Sequence, residues 1–251
     1  MDSRAGAQEG DSSVALKLTI DTLGDAVARA LGPRLVSLLL YGSTARGTHV
    51  PNRSDVNTLL ICDAVDDALF AALAPVMREW RRTGHLAPLI FSEREWRASG
   101  DVFSIEYEDI RQHHRLLAGR DPWSGIRIER ADLRRQLERE LMEKLVRLRQ
   151  AYAALRDEPK QLSRVIVGSA GGFFTVLRAV LRLAGRAVPG PAEAVVSEAA
   201  ALIGFPAIGL EALVRHAGGG ATLRLDSGGD ALVPAYLAAL ARTAEYVNSL
   251  S

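Results

Sequence analysis

The sequence predicts an N-terminal α/β half followed by a C-terminal helical bundle, and three observations carry that prediction. Two short apolar runs, "LVSLLLY" (35–41) and "DVNTLLIC" (55–62), are bounded by turn residues and are too short for core helices. Leucines at 133, 137, 141, 145 and 148 repeat along one face of a long helical stretch. After Pro122-Trp123 no strand pattern is convincing.

Residues 1–13 are polar and lack an apolar framework, which predicts a disordered tail. Leu16, Ile20, Leu23, Val27 and Leu31 recur at helical spacing, and Gly32-Pro33 supplies the stop. The apolar runs 35–41 and 55–62 read as buried strands, joined by "GSTARGTHVPNRS", whose first part suits a short helix. A helix over 66–82 and a strand over 86–91 follow, and Ser92 with Glu95 fits a capping box. In "VFSIEY" (102–107) Phe103, Ile105 and Tyr107 alternate with Val102, Ser104 and Glu106, which predicts a fourth strand. Asp109 then reads as the N-cap of a helix starting at Ile110. These elements make one domain over 14–124. The second, over 125–251, contains helices at 131–157, 160–185, 191–203, 206–216 and 231–249, with loops at Pro189-Gly190-Pro191 and 218–230.

Composition narrows the function classes. Thirty-one basic residues stand against thirty acidic ones, so no overall field favours nucleic acid or an anionic membrane. The longest charge-free apolar stretch, Val165 to Leu177, is shorter than the roughly 20 residues a bilayer needs. The single cysteine, Cys62, has no internal partner and sits in an apolar run, where a small buried side chain is the ordinary reading. With no signal-peptide pattern at the N-terminus, the expectation is a cytoplasmic protein. Homo-oligomerisation is left open.

The chemistry concentrates in residues 41–57. Gly42-Ser43 ends the first apolar run, and Asp55-Val56-Asn57 opens the second. On a strand, residues i and i+2 project from one face, so positions 55 and 57 address the same space. A Gly-Ser turn offers close backbone approach and free N–H groups to phosphates. Phosphoryl transfer needs that kind of positioning, together with charge neutralisation and an oriented hydroxyl.

These residues resemble the nucleotidyltransferase superfamily that includes the kanamycin and streptomycin adenylyltransferases and the minimal nucleotidyltransferases. Its pattern is an apolar residue, Gly-Ser, about nine to thirteen residues, then Asp-x-Asp on the next strand. Tyr41-Gly42-Ser43 and Asp55-Val56-Asn57 match except at the last position, and Arg46-Gly47 extends the likeness. The resemblance implies a mixed-sheet N-terminal domain and a helical bundle behind it. It also implies Mg²⁺ and a nucleoside triphosphate, ATP first, as donor to a hydroxyl of a small molecule or protein. Gly42 and Ser43 would hold phosphates, with Arg46 beside them. Asp55, Asn57 and Glu106 would form the metal set, and Asp55 and Glu106 would be the catalytic pair, Glu106 as general base.

Asn57 departs from that pattern. Its amide oxygen ligates a hard cation but brings no charge, so two ions would face two carboxylates instead of three. The alternative reading is therefore a catalytically impaired nucleotide-binding or protein-interaction module that keeps the fold. Plainer readings compete at single positions: Asp55 as a turn cap, and consecutive His113-His114 facing different directions on a helix. Likewise "GSAGGFF" (168–174) reads as close helix packing, and the Arg- and Glu-rich stretch 126–149 as a salt-laced helix surface.

Overall fold

Strand β1 (Leu35–Tyr41) lies at the centre of the N-terminal half. The computed structural model describes residues 18–51, 54–226 and 230–250. The expected tail, and Leu16 of the first helix, lie outside the described residues. Helix α1 (Ile20–Leu31) is started by Thr19, whose hydroxyl accepts from the Thr22 amide in a capping box, and buries Leu23, Val27 and Leu31. A Cβ on Gly24 would stand 2.4 Å from the Leu117 carbonyl oxygen, so this helix lies on the sheet closer than any side chain permits.

Strand β2 (Asn57–Cys62) runs antiparallel to β1, and Tyr41 pairs with Asn57. The strand begins two residues later than expected, leaving Asp55 just before the ladder. Helix α2 (Asp67–Arg82) leads to β3 (Leu89–Ser92), which pairs parallel with β2. Ser92 and Glu95 form the expected capping box on α3 (Glu93–Ala98).

The next segment corrects the sequence reading. Residues 102–107 are not a strand: helix α4 spans Ser104–Gln112, and Asp109 lies inside it instead of capping a later one. The buried residues Ser104, Tyr107 and Ile110 follow a three-residue spacing, which helical packing uses and strand alternation does not. The fourth strand is β4 (His114–Gly119), antiparallel to β1 on its other side. The sheet order is β3-β2-β1-β4, a mixed sheet.

Both sheet faces are covered, which is why its central strands are almost wholly apolar. Leu38, Leu40, Leu60 and Cys62 pack against α1 and α2 residues such as Val27 and Leu73. On the opposite face Leu39, Leu59 and Ile61 pack with Trp96, Tyr107 and Ile110 from α3 and α4. Burial, then the charge of Asp63, pushes the Cys62 thiol up to about 11, so it behaves as the small buried side chain expected.

The C-terminal region is helical. Helices α5 (Arg130–Leu155), α6 (Pro159–Leu183), α7 (Ala192–Ile203), α8 (Glu211–Ala217) and α9 (Leu232–Ser249) close on a shared core. The leucine face of α5 is buried as read from its spacing, and its outer face carries pairs such as Arg134–Glu138. Helix α6 is long and apolar enough to cross a membrane by length and composition, yet Phe173, Leu177 and Leu181 on it are fully buried in the helical core. Ile105 of α4 joins the same core, so α4 touches both halves.

Candidate functional site

Tyr41 is paired with Asn57 on one side and His114 on the other, so three strand ends meet where β1 stops. The chain then reverses sharply. Gly42 adopts φ +77°, in the left-handed region, and a Cβ there would lie 3.0 Å from Asn57 Nδ2. Conformation and space therefore both require glycine, and the Asn57 amide packs directly over the turn. The Arg46 amide donates to the Gly42 carbonyl (3.0 Å) and the Thr48 amide to the Ser43 carbonyl (2.9 Å), so residues 42–48 wind as a single compact turn. His49 Nδ1 and Thr44 Oγ1 share a hydrogen bond of 3.1 Å that fixes the way out of it.

A cleft of about 1380 Å³ opens beside this turn, between the sheet's end and the helical region. Gly42, Ser43, Arg46, Asp55, Asn57 and Glu106 all line it, so every sequence-designated residue borders one space. Glu106 reaches it from the first turn of α4, not from a strand. Its carboxylate accepts from Gln136 Nε2 (2.8 Å), and Gln136 Oε1 in turn accepts from the Ile105 amide (2.9 Å), tying α4 to α5. Burial first, then the charges of Glu106 and Asp109, pushes the Tyr41 hydroxyl up to about 12. Both acids therefore act electrostatically on the end of β1.

The donor set is poor for a metal held by protein alone. Strand β3, beside β2, carries Leu89, Ile90, Phe91 and Ser92 and no carboxylate. Among the described residues no three His, Cys, Asp or Glu side chains gather to hold an ion. With Asn57 neutral, a two-metal clamp of three protein carboxylates does not fit these residues.

The strongest electrostatic feature was not legible as a motif. Arg46 Nη1 donates to Asp109 Oδ2 at 2.7 Å, and Arg182 Nη2 donates to Asp109 Oδ1 at 3.0 Å. All three side chains are at most 9% exposed. Burial pushes the Asp109 carboxyl upward, but the two guanidiniums together outweigh it and hold it below the usual range. Arg178, on the same helix as Arg182, is buried beside them. Arg46, expected to face phosphate, thus commits one nitrogen to tying the Gly-Ser turn to α4 and α6. The available signal was two arginines four apart, 178 and 182, inside the apolar C-terminal run of the helix. His113 and His114 do not share a helix as expected: His113 follows the end of α4 and His114 opens β4, its Nδ1 bonded to the Ile110 carbonyl, while burial, then Arg46, lowers the His113 pKa.

No protein-family model matches the chain, and no curated protein matches it. Its fold matches that of spectinomycin adenyltransferase AAD(9) from Enterococcus faecialis, solved with ATP and spectinomycin. The TM-score is 0.59 at 14% identity, covering 89% of this chain and 97% of that one. That enzyme belongs to the nucleotidyltransferase superfamily, and the chain has the same fold: a mixed four-stranded sheet followed by a helical region.

Proposed function

We propose that the chain is a nucleotidyltransferase that moves a nucleoside monophosphate from a nucleoside triphosphate, ATP first, to a hydroxyl of a small molecule or protein. The observation that carries this reading is the convergence of Gly42, Ser43, Asp55 and Glu106 on one cleft, in a fold whose solved representative holds ATP. The leading amides of the 42–48 turn face the phosphates, as free N–H groups at such a turn favour anions. Glu106 takes the proton of the acceptor hydroxyl. The acceptor oxygen attacks the α-phosphorus, the bond from that phosphorus to the bridging oxygen breaks, and pyrophosphate leaves. Asp55, with Asn57 beside it as a neutral ligand, would hold the Mg²⁺ that arrives with the nucleoside triphosphate, and the ion would offset the charge of the phosphates. No second, protein-held ion is part of this reading.

A second reading is favoured by Asn57 and by the absence of a third gathered carboxylate among the described residues. In it the chain binds nucleotide or a partner without transfer. Melting curves with ATP, GTP, CTP and UTP, each with Mg²⁺ or EDTA, address nucleotide binding first. A ligand at about 100 times its dissociation constant stabilises the native state by roughly 2.7 kcal/mol. For a chain of this size that raises Tm by about 5–10 °C. A Mg²⁺-dependent rise selective for one nucleotide supports binding; mass added to a hydroxylated acceptor then separates transfer from binding alone. No rise with any nucleotide sinks both nucleotide readings.

A further inference from the structure

Three cations surround one carboxylate where the Gly-Ser turn, α4 and α6 meet. Arg46 and Arg182 each take one oxygen of Asp109. Arg178 stands one helical turn before Arg182, 5% exposed, and donates from Nη2 to the Gly190 carbonyl at 3.1 Å. Burial, then repulsion from Arg46, drives its pKa down to about 10, with Asp109 the acid that acts against the fall. His113 supplies no compensating charge. Three buried donors, Arg46 Nε, Arg178 Nε and Arg182 Nη1, have no hydrogen-bond partner among the described residues.

Burying excess charge without a counter-ion is among the costliest arrangements in a protein, and a guanidinium cannot escape by losing its proton. The excess is not sealed in a core: Arg46, Asp109 and Arg178 all line the cleft. Helix α6 leaves room in front of it. Gly171 lies seven residues before Arg178, hence on the same face, and a Cβ there would meet nothing within 4 Å. Besides Asp55 and Glu106, acidic residues border the cleft at Glu140, Glu193 and Glu211, but none of the five is buried and Glu140 faces Lys144 at 3.8 Å. The buried end of the cleft is the cationic one.

We propose that the acceptor carries an oxyanion, carboxylate or phosphate, which docks over α6 against Arg178 with Arg46 beside it. This rests on the nucleotidyl-transfer reading, in which the Gly42-Ser43 turn already takes the nucleotide's phosphates. The second anion is assigned to the acceptor because Arg178 comes from α6, whose unfilled face at Gly171 opens into the helical side of the cleft.

The test is melting of the full chain in inorganic phosphate against chloride at equal ionic strength, with and without saturating MgATP. Phosphate should raise Tm by several degrees more than chloride, and by the same amount when MgATP is present. Arg178→Gln should lose the phosphate rise and keep the MgATP rise, and it should not melt below wild type without ligand, since it removes an uncompensated charge. Arg178→Lys, which keeps the charge and loses the planar fork, should retain part of the phosphate rise and stands in if the Gln variant does not fold.

A phosphate rise that vanishes under saturating MgATP overturns the acceptor assignment and gives Arg178 to the nucleotide. A rise undiminished in both variants places the anion elsewhere. No rise above chloride, with the MgATP response intact, removes the anion site and leaves the transfer reading standing. No MgATP response removes the transfer reading, and the acceptor assignment with it.

Discussion

The Gly42-to-Asn57 segment and the Arg46–Asp109–Arg178–Arg182 cluster border the same cleft but reach it in different ways. The first is assembled by short-range folding: a strand end, one left-handed glycine and the return strand whose Asn57 pairs with Tyr41. The second joins residues 63 and 73 positions apart in sequence through ion pairs shielded from water. The motif brings its polar side chains to the cleft, Asp55 among them exposed, whereas the cluster buries one ion-paired carboxylate, Asp109, among three arginines. Short-range folding thus suffices to place an exposed ligand such as Asp55, whereas a buried cationic site needs residues that only the tertiary fold brings together.

The hardest test of that division is Asp109→Asn. Removing one partner from a buried, multiply bonded pair leaves uncompensated guanidiniums, and the expected loss is about 3–5 kcal/mol in urea denaturation. A loss below about 1 kcal/mol would mean the cluster is solvated and the contrast false. The pH dependence gives the sign independently. The Asp109 pKa is lowered by folding, so its contribution is complete above the unfolded-state value of about 4 and is lost as pH falls through the lower folded value. Wild type should therefore lose this stability on the acid limb, and the Asn variant should lack that component.

Gly42→Ala comes next. The left-handed backbone costs a residue with a Cβ about 1–2 kcal/mol, and Asn57 Nδ2 must also give way. The expected result is a Tm several degrees lower and a weakened nucleotide response; wild-type behaviour in both would show that the turn is not held as described.

The smallest stability effects belong to the two polar motif positions, and they sharpen the comparison. Asp55 is exposed, so Asp55→Ala should stay within about 0.5 kcal/mol of wild type while abolishing the Mg²⁺-dependent response to ATP. If the response survives, the acidic ligand has been misassigned. Asn57→Asp should leave stability nearly unchanged and add a charged hard ligand, raising the number of metal ions bound with nucleotide. An unchanged stoichiometry by equilibrium dialysis would count against that role.

Much of the fold was readable because it rests on local periodicity. Strands over 35–41 and 57–62, the Ser92–Glu95 capping box and the leucine face of α5 all express spacings within a few residues of themselves. Helix α4 was not readable in this way. Phe103, Ile105 and Tyr107 alternate by chance of composition, while burial of Tyr107 and Ile110 against the sheet and α3, and of Ile105 in the helical core, selects a helix. Strand β4 was missed for a related reason. It is an edge strand whose Leu116 is exposed, so its sequence lacks the apolar alternation of a central strand, and it exists because β1 supplies a ladder.

By itself the sequence determined the α/β-then-helical order, the sharp turn at Gly42-Ser43 and the juxtaposition of Asp55 and Asn57, since each depends on neighbours along the chain. Tertiary structure alone decided that Glu106 approaches the cleft from a helix, that Arg46 is drawn to Asp109, and that Arg178 is buried without a full complement of partners. The physical reason is range. Backbone propensity and side-chain periodicity act over a turn or a strand, while the energy of a buried charge depends on everything the fold packs around it.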